Sequence, residues 1–149
     1  MALTVKKVTL WRAEVAHQAG KLAEILEPLA KAGANLRVVM GYAFPSTPGG
    51  AAIEVFPISG KKVTAAARAA GLSASPIACL LAEGDDRPGL GAEMARAIEK
   101  ASLNISFLMT QTVGRKFSAL FGFESDADAT VASKAIRAVG KPSAKARKR

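Results

Sequence analysis

Chemically reactive side chains are scarce in this chain. Among 149 residues there is one cysteine, Cys79, and one histidine, His17. A single cysteine excludes an intrachain disulfide framework and a CxxC metal site. Its place in the apolar run 76–82 reads as a buried structural thiol. No Ser/His/Asp order, HExxH, P-loop or GxGxxG is present. Asp85 and Asp86 are adjacent, so their side chains diverge and do not make a catalytic pair. The expectation is a chain that is not an enzyme and has no metal and no cofactor. No apolar run approaches the ~18–20 residues needed to span a bilayer, and no basic-then-apolar segment resembling a signal peptide opens the sequence. A cytoplasmic location is expected. Acidic residues are also few, 12 against 21 basic, for a net charge of +9. Lys141, Lys145, Arg147, Lys148 and Arg149 carry five of those positive charges in a tail without apolar content, which leaves +4 for the body. Residues 141–149 therefore read as a solvated basic tail.

What is present is hydrophobic residue, half of the chain. That suits one compact domain or two small halves, burying roughly 70% of the unfolded surface without a covalent staple. Shifting the sequence by 69 residues superposes its halves in pattern: Ala13-Glu14 falls on Ala82-Glu83, Gly20 on Gly89, Asn35-Leu36 on Asn104-Ile105, and Met40 on Met109. The first copy carries three extra residues between its later strands. Two copies of one unit imply a duplication with approximate two-fold symmetry.

Each copy reads β-α-β-β-α. In the first, a strand is expected over 6–14. A helix follows over 18–32, with Leu22, Ile25, Leu26 and Leu29 on its apolar face and Pro28 implying a kink or a late start. A strand through Leu36, Val38 and Met40, a loop over 42–50, a strand over 51–58, Ser59 as an N-cap and a helix over 61–70 complete it. In the second, the strand 77–82 is apolar on both faces and belongs mid-sheet. A helix over 90–100, a strand over 103–110 pointing Leu103, Ile105, Phe107 and Met109 one way, and a strand over 117–123 turning its phenylalanines onto the helices come next. Ser125 with Asp128 three residues later opens the last helix as a capping-box-like pair. The fold class is α+β, a ferredoxin-like unit duplicated, with an antiparallel sheet and helices on one face. Boundaries fall at 1–72, 73–140 and 141–149. Neither copy has room for a fourth strand, so the halves are expected to pair edge to edge into one continuous sheet.

The turn at 83–90 carries the chemical signal. Pro88 suits a first helical turn, Gly89 permits close approach, and the helix start offers unpaired N–H groups to a carboxylate. Asn104, across from it, brings a donor and an acceptor. Asp85-Asp86-Arg87-Pro88-Gly89-Leu90, followed by a helix and Leu103-Asn104-Ile105, resembles an ACT domain, whose turn commonly reads D-x-P-G followed by a hydrophobic residue. Residues 15–20 and Asn35-Leu36 resemble a degenerate second copy. The resemblance implies regulatory binding of a small molecule, usually an amino acid, at interfaces between ACT units. It points to Asp86, Gly89, Leu90, Asn104 and Ile105 in the better-matched copy, and to His17, Gly20 and Asn35 in the other. It also implies a homodimer and signalling to a partner enzyme or protein.

Two other readings stand beside this one. The chain is alternatively an interaction or scaffold module with a vestigial pocket. RNA-recognition domains share the topology, but they stack bases on open-face aromatics. Here the open face is expected to carry Val39, Leu108 and Leu120 and to pack against a second subunit. Trp11 suits either that interface or the core.

Overall fold

The structure, a computed structural model, describes residues 3–141. The expected basic tail lies outside the described residues, apart from Lys141. In chain order the elements are β1 (Thr4–Val8), β2 (Trp11–Ala16), α1 (Lys21–Lys31), β3 (Val38–Ala43), β4 (Gly50–Phe56), α2 (Lys61–Ala69), β5 (Ser73–Ala74), β6 (Ala78–Asp85), α3 (Leu90–Lys100), β7 (Phe107–Val113), β8 (Lys116–Phe123) and α4 (Asp126–Val139). The described residues form two compact units, one of 9–76 and the other of those up to 8 together with those from 77 onward.

Each unit has its own four-stranded antiparallel sheet, ordered β3-β4-β2-β5 in the first and β1-β6-β8-β7 in the second. The expected single continuous sheet is not formed, and the expected boundary between 72 and 73 is displaced. The physical reason lies in β6. Cys79, Leu80, Leu81 and Ala82 are all buried, so this strand needs a hydrogen-bonded neighbour on both edges. Its own repeat supplies only β8. The other edge is taken by β1, paired from Thr4 opposite Glu83 to Val8 opposite Cys79. The strand expected over 6–14 is therefore broken at Thr9-Leu10. Its second part, β2, joins the other sheet, where the short β5 pairs with Trp11 and Arg12. The segment ahead of each repeat's first strand thus becomes the fourth strand of the opposite unit.

In the second unit the core follows the expected alternation. Phe117, Ala119, Phe121 and Phe123 of β8 pack with Leu90, Met94 and Ile98 of α3 and with Ala129, Ala132 and Ile136 of α4. Each large apolar side chain buried here contributes about 1.5–3 kcal/mol. The first unit has a smaller core of Ala13, Ile25, Leu29, Ile53, Val55, Ala67 and Leu72, against which Trp11 is packed. Trp11 is therefore on the helix side of its sheet, with the Arg68 guanidinium 5.9 Å from its ring.

Local differences from the sequence reading have local causes. Helix α1 begins at Lys21, three residues later than expected, and runs through Pro28 to Lys31. Pro28 leaves the Glu24 carbonyl without an N–H, while its own carbonyl accepts from Ala32 at 3.1 Å. The fully buried Leu29 beside it offsets that loss. Ser59 is not a cap: α2 starts at Gly60 with no side-chain bond. At α4 the Ser125 hydroxyl does accept from the Asp128 N–H, at 3.1 Å. Strand β7 begins only at Phe107, after Leu103 and Ile105 have turned into the core. Phe107 pairs with Gly122, and a Cβ added to that glycine would run into the Phe107 ring. Phe107 therefore lies on the face away from the helices, and Leu108 on the helix side, the reverse of the expectation. Val39 pairs with Val55 and is likewise on the helix side.

Candidate functional site

The two turns that match in sequence have the same backbone. Gly20 precedes α1 at φ 90° and Gly89 precedes α3 at φ 84°, a left-handed conformation that favours glycine. Neither helix has a side-chain cap, so each offers backbone N–H groups and the positive end of its dipole at the turn.

A cavity of about 260 Å³ opens at the first turn, against the helix-side face of its sheet. Its floor is the helix-side face of the sheet, with Val15 of β2, Ala51 and Ile53 of β4, and Gly41 and Ala43 of the edge strand β3. The mouth of α1 contributes Lys21 and Leu22, and the turn contributes His17 and Gln18. The space exists because the residues facing it are small. A Cβ at Gly41 would meet nothing within 4 Å. Leu22, expected in the core, instead stands 45% exposed at the rim. The His17 N–H bonds the Gly49 carbonyl at 2.9 Å, which ties the turn to the loop before β4. Lys21 is paired with Glu24 at 3.1 Å.

At the second turn the equivalent volume is filled. Leu90, matching Lys21, is 1% exposed in the core, and Phe117, matching Ala51, is buried beside it. Thr110 and Thr112 match Gly41 and Ala43. The second turn has instead a cleft of about 470 Å³ lined by Asp85, Asp86, Gly114 and Arg115, with no residue of the sheet's helix-side face or of α3 in its lining. The Asp86 N–H donates to the Arg115 carbonyl at 2.8 Å. Lys116 bonds Asp85 at 2.5 Å and holds its carboxyl below the usual range. Arg87 donates two hydrogen bonds to the Glu93 carboxylate, at 2.5 and 2.6 Å, which hold that carboxyl low too.

Of the eight residues singled out from sequence, His17 lines the first cavity and Gly20 starts the helix whose first residues line it. Asp86 borders the cleft at the second turn and Gly89 starts α3. Leu90 and Ile105 are packed into the core of the second unit. Asn35 and Asn104 are exposed and line neither cavity. Sequence reasoning missed Lys21, Leu22, Gly41, Ala43 and Ala51. The signal for them was a glycine inside a strand pattern, which marks close approach to a backbone. Among the described residues no cluster of acidic, histidine and cysteine side chains is arranged to hold a metal ion, and no helix is long and apolar enough to cross a membrane.

No protein-family model and no curated protein matches the sequence. Solved structures do match the fold. The regulatory subunit of aspartate kinase from Thermus thermophilus aligns with a TM-score of 0.63 and 17% identity, over 95% of this chain and 98% of its own. The corresponding Thermus flavus subunit aligns at 0.57 and 18%, over 95% and 98%. A protein from Bacteroides thetaiotaomicron aligns at 0.70 and 14%, over 89% and 88%. Two antiparallel sheets carrying four helices, with matching glycine turns in each, and this likeness along nearly the whole chain give the protein the fold of a tandem pair of ACT units.

Proposed function

We propose that this chain is a non-catalytic regulatory protein that binds a small carboxylate metabolite, an amino acid by best fit, in the first unit, and reports its occupancy to a partner enzyme. The observation that carries this is the cavity where an uncapped helix start and Lys21 meet a small apolar chamber. The N–H groups and Lys21 suit a carboxylate, Gln18 and His17 offer polar contacts for an amino group, and Val15, Leu22 and Ile53 suit an apolar side chain. Each hydrogen bond to a charged ligand group is worth ~1.5–3 kcal/mol. After ordering costs, three or four of them correspond to micromolar to millimolar affinity. The partner is an enzyme by analogy with the Thermus subunits, which are named as regulatory subunits of one.

A thermal-shift screen of the standard L-amino acids tests the reading. The expected result is stabilisation by at least one of them, abolished in Gly41→Val and retained in Asn104→Ala. Loss of the response in Asn104→Ala with Gly41→Val unchanged would move the site to the second turn. A homodimer is part of the same proposal. Both edge strands β3 and β7 are free of charge and proline and expose Val39, Tyr42, Leu108 and Val113, whereas natural sheets usually guard such edges. Analytical ultracentrifugation is expected to show a dimer; a monomer at all concentrations counts against that part alone.

A further inference from the structure

Glu54 is a buried carboxylate that neither the core nor the cavity lining accounts for. It lies on β4, 1% exposed. Its Oε2 accepts a hydrogen bond from the Tyr42 hydroxyl at 2.9 Å, and its Oε1 has no partner among the described residues. An unpartnered buried oxygen costs stability and calls for an explanation, and a hydrocarbon of similar size would avoid the cost. The second unit makes that replacement. Leu120 occupies the matching position on β8, fully buried, and Gln111 stands where the first unit has Tyr42.

The geometry shows what the carboxylate holds. Tyr42 borders the cavity between Gly41 and Ala43, but its side chain, in register with Ala52 and bonded to Glu54, belongs to the opposite face of the sheet. There Glu54 sits in register between Arg12 of β2 and Met40 of β3. Strand β3 is an edge, and the exposure of Val39 and Tyr42 shows how little packing secures it. The nearby Arg12 guanidinium pulls the Tyr42 phenol's pKa down. It is otherwise committed to Glu14 at 2.7 Å and lies 5.7 Å over the Phe44 ring, which meets Tyr42 edge-on at 6.0 Å. We infer that Glu54, by holding the Tyr42 hydroxyl, is a positioning residue that pins the cavity wall from the far side of the sheet, kept at a cost in stability. This rests on the ligand-binding reading above. The tie is present in the unit with the sheet-face cavity and replaced in the unit where Leu90 and Phe117 fill the equivalent space.

Three variants of the full chain test it, each titrated calorimetrically with the amino acid of the standard panel that binds the parent most tightly. Glu54→Leu copies the second unit, so its denaturation midpoint is expected to rise while affinity falls roughly three- to tenfold. Tyr42→Phe keeps the ring and is expected to lose affinity to the same extent. Glu54→Gln retains an accepting oxygen and is expected to stay within about twofold of the parent. Tyr42 is the single tyrosine, so ultraviolet titration of the phenol reads the tie without ligand. Partial burial raises its pKa, the nearby Arg12 guanidinium lowers it, and the Glu54 hydrogen bond raises it; Glu54→Leu should therefore bring it down. Unchanged affinity in Glu54→Leu and Tyr42→Phe, or an unmoved phenol titration in Glu54→Leu, overturns the inference alone. Failure of every panel member to bind the parent overturns the proposed function, and the inference with it.

Discussion

The two units share one frame and differ in what fills it. Both have a left-handed glycine, an uncapped helix start and an edge strand across from it. In the second unit, with the fuller turn motif, Phe117 and Leu90 occupy the space. In the first, with the degenerate turn, Gly41, Ala43 and Ala51 leave it open. Turn residues shape the backbone and present its N–H groups, but the volume of the strand residues opposite decides whether a ligand fits. A motif is thus evidence of geometry before it is evidence of binding.

The difference can be broken from either side. Phe117→Ala should cost the most, about 3–5 kcal/mol in urea denaturation, because it empties a core position. If the contrast is one of volume alone, it should also open a cavity at the second turn, detectable as a second ligand stoichiometry. Gly41→Val fills the first cavity. Its Cβ has room and valine suits a strand better than glycine, so stability in the absence of ligand should hold or rise slightly. The ligand-dependent gain, about 2.7 kcal/mol at a hundredfold excess over Kd, should vanish. The caps sharpen the contrast on a smaller scale: Ser125→Ala should cost about 1 kcal/mol, whereas Ser59→Ala should stay within about 0.5 kcal/mol, both by chemical denaturation.

The smallest effects are in pH. Tyr42 in the first unit titrates above its usual value, chiefly through burial. Its contribution is present below the unfolded phenol's pKa and is lost as pH rises through the raised one. Asp85 and Glu93 in the second unit are held low by hydrogen bonds to Lys116 and Arg87. Their contributions are present above the unfolded carboxyl values and are lost as pH falls through the lowered ones. These two pairs are exposed, so the acid limb should be shallow and salt-sensitive. Asp85→Asn with Glu93→Gln should flatten it further, and Tyr42→Phe should flatten the alkaline limb.

Repeat, fold class and most elements were legible because apolar periodicity and glycine placement are local signals. The Ser125 cap and the phenylalanine face of β8 were readable for that reason. Sheet membership was not legible. Residues 6–14 alternate as one strand, and only the competition of two sheet edges for neighbours splits them at Thr9-Leu10. The cavity was half legible. His17 and Gly20 lie at it, but Leu22 reads as core on a helical wheel and in the structure stands exposed at the cavity rim. Leu90 and Ile105 show the converse, motif positions consumed by packing.

The exchanged strands have an architectural consequence. Val8 lies directly opposite Cys79, and Trp11 directly opposite Ala74, so along the chain residues 9–76 are an insertion between two paired strands of the second unit. The chain is nested and not serial: a single cut between the two copies would release neither unit whole. Excising residues 9–76 and replacing Ile77-Ala78 by Asn-Gly, so that a two-residue type I′ turn closes Val8 to Cys79, would, on this topology, leave a free-standing domain with all four strands of its sheet.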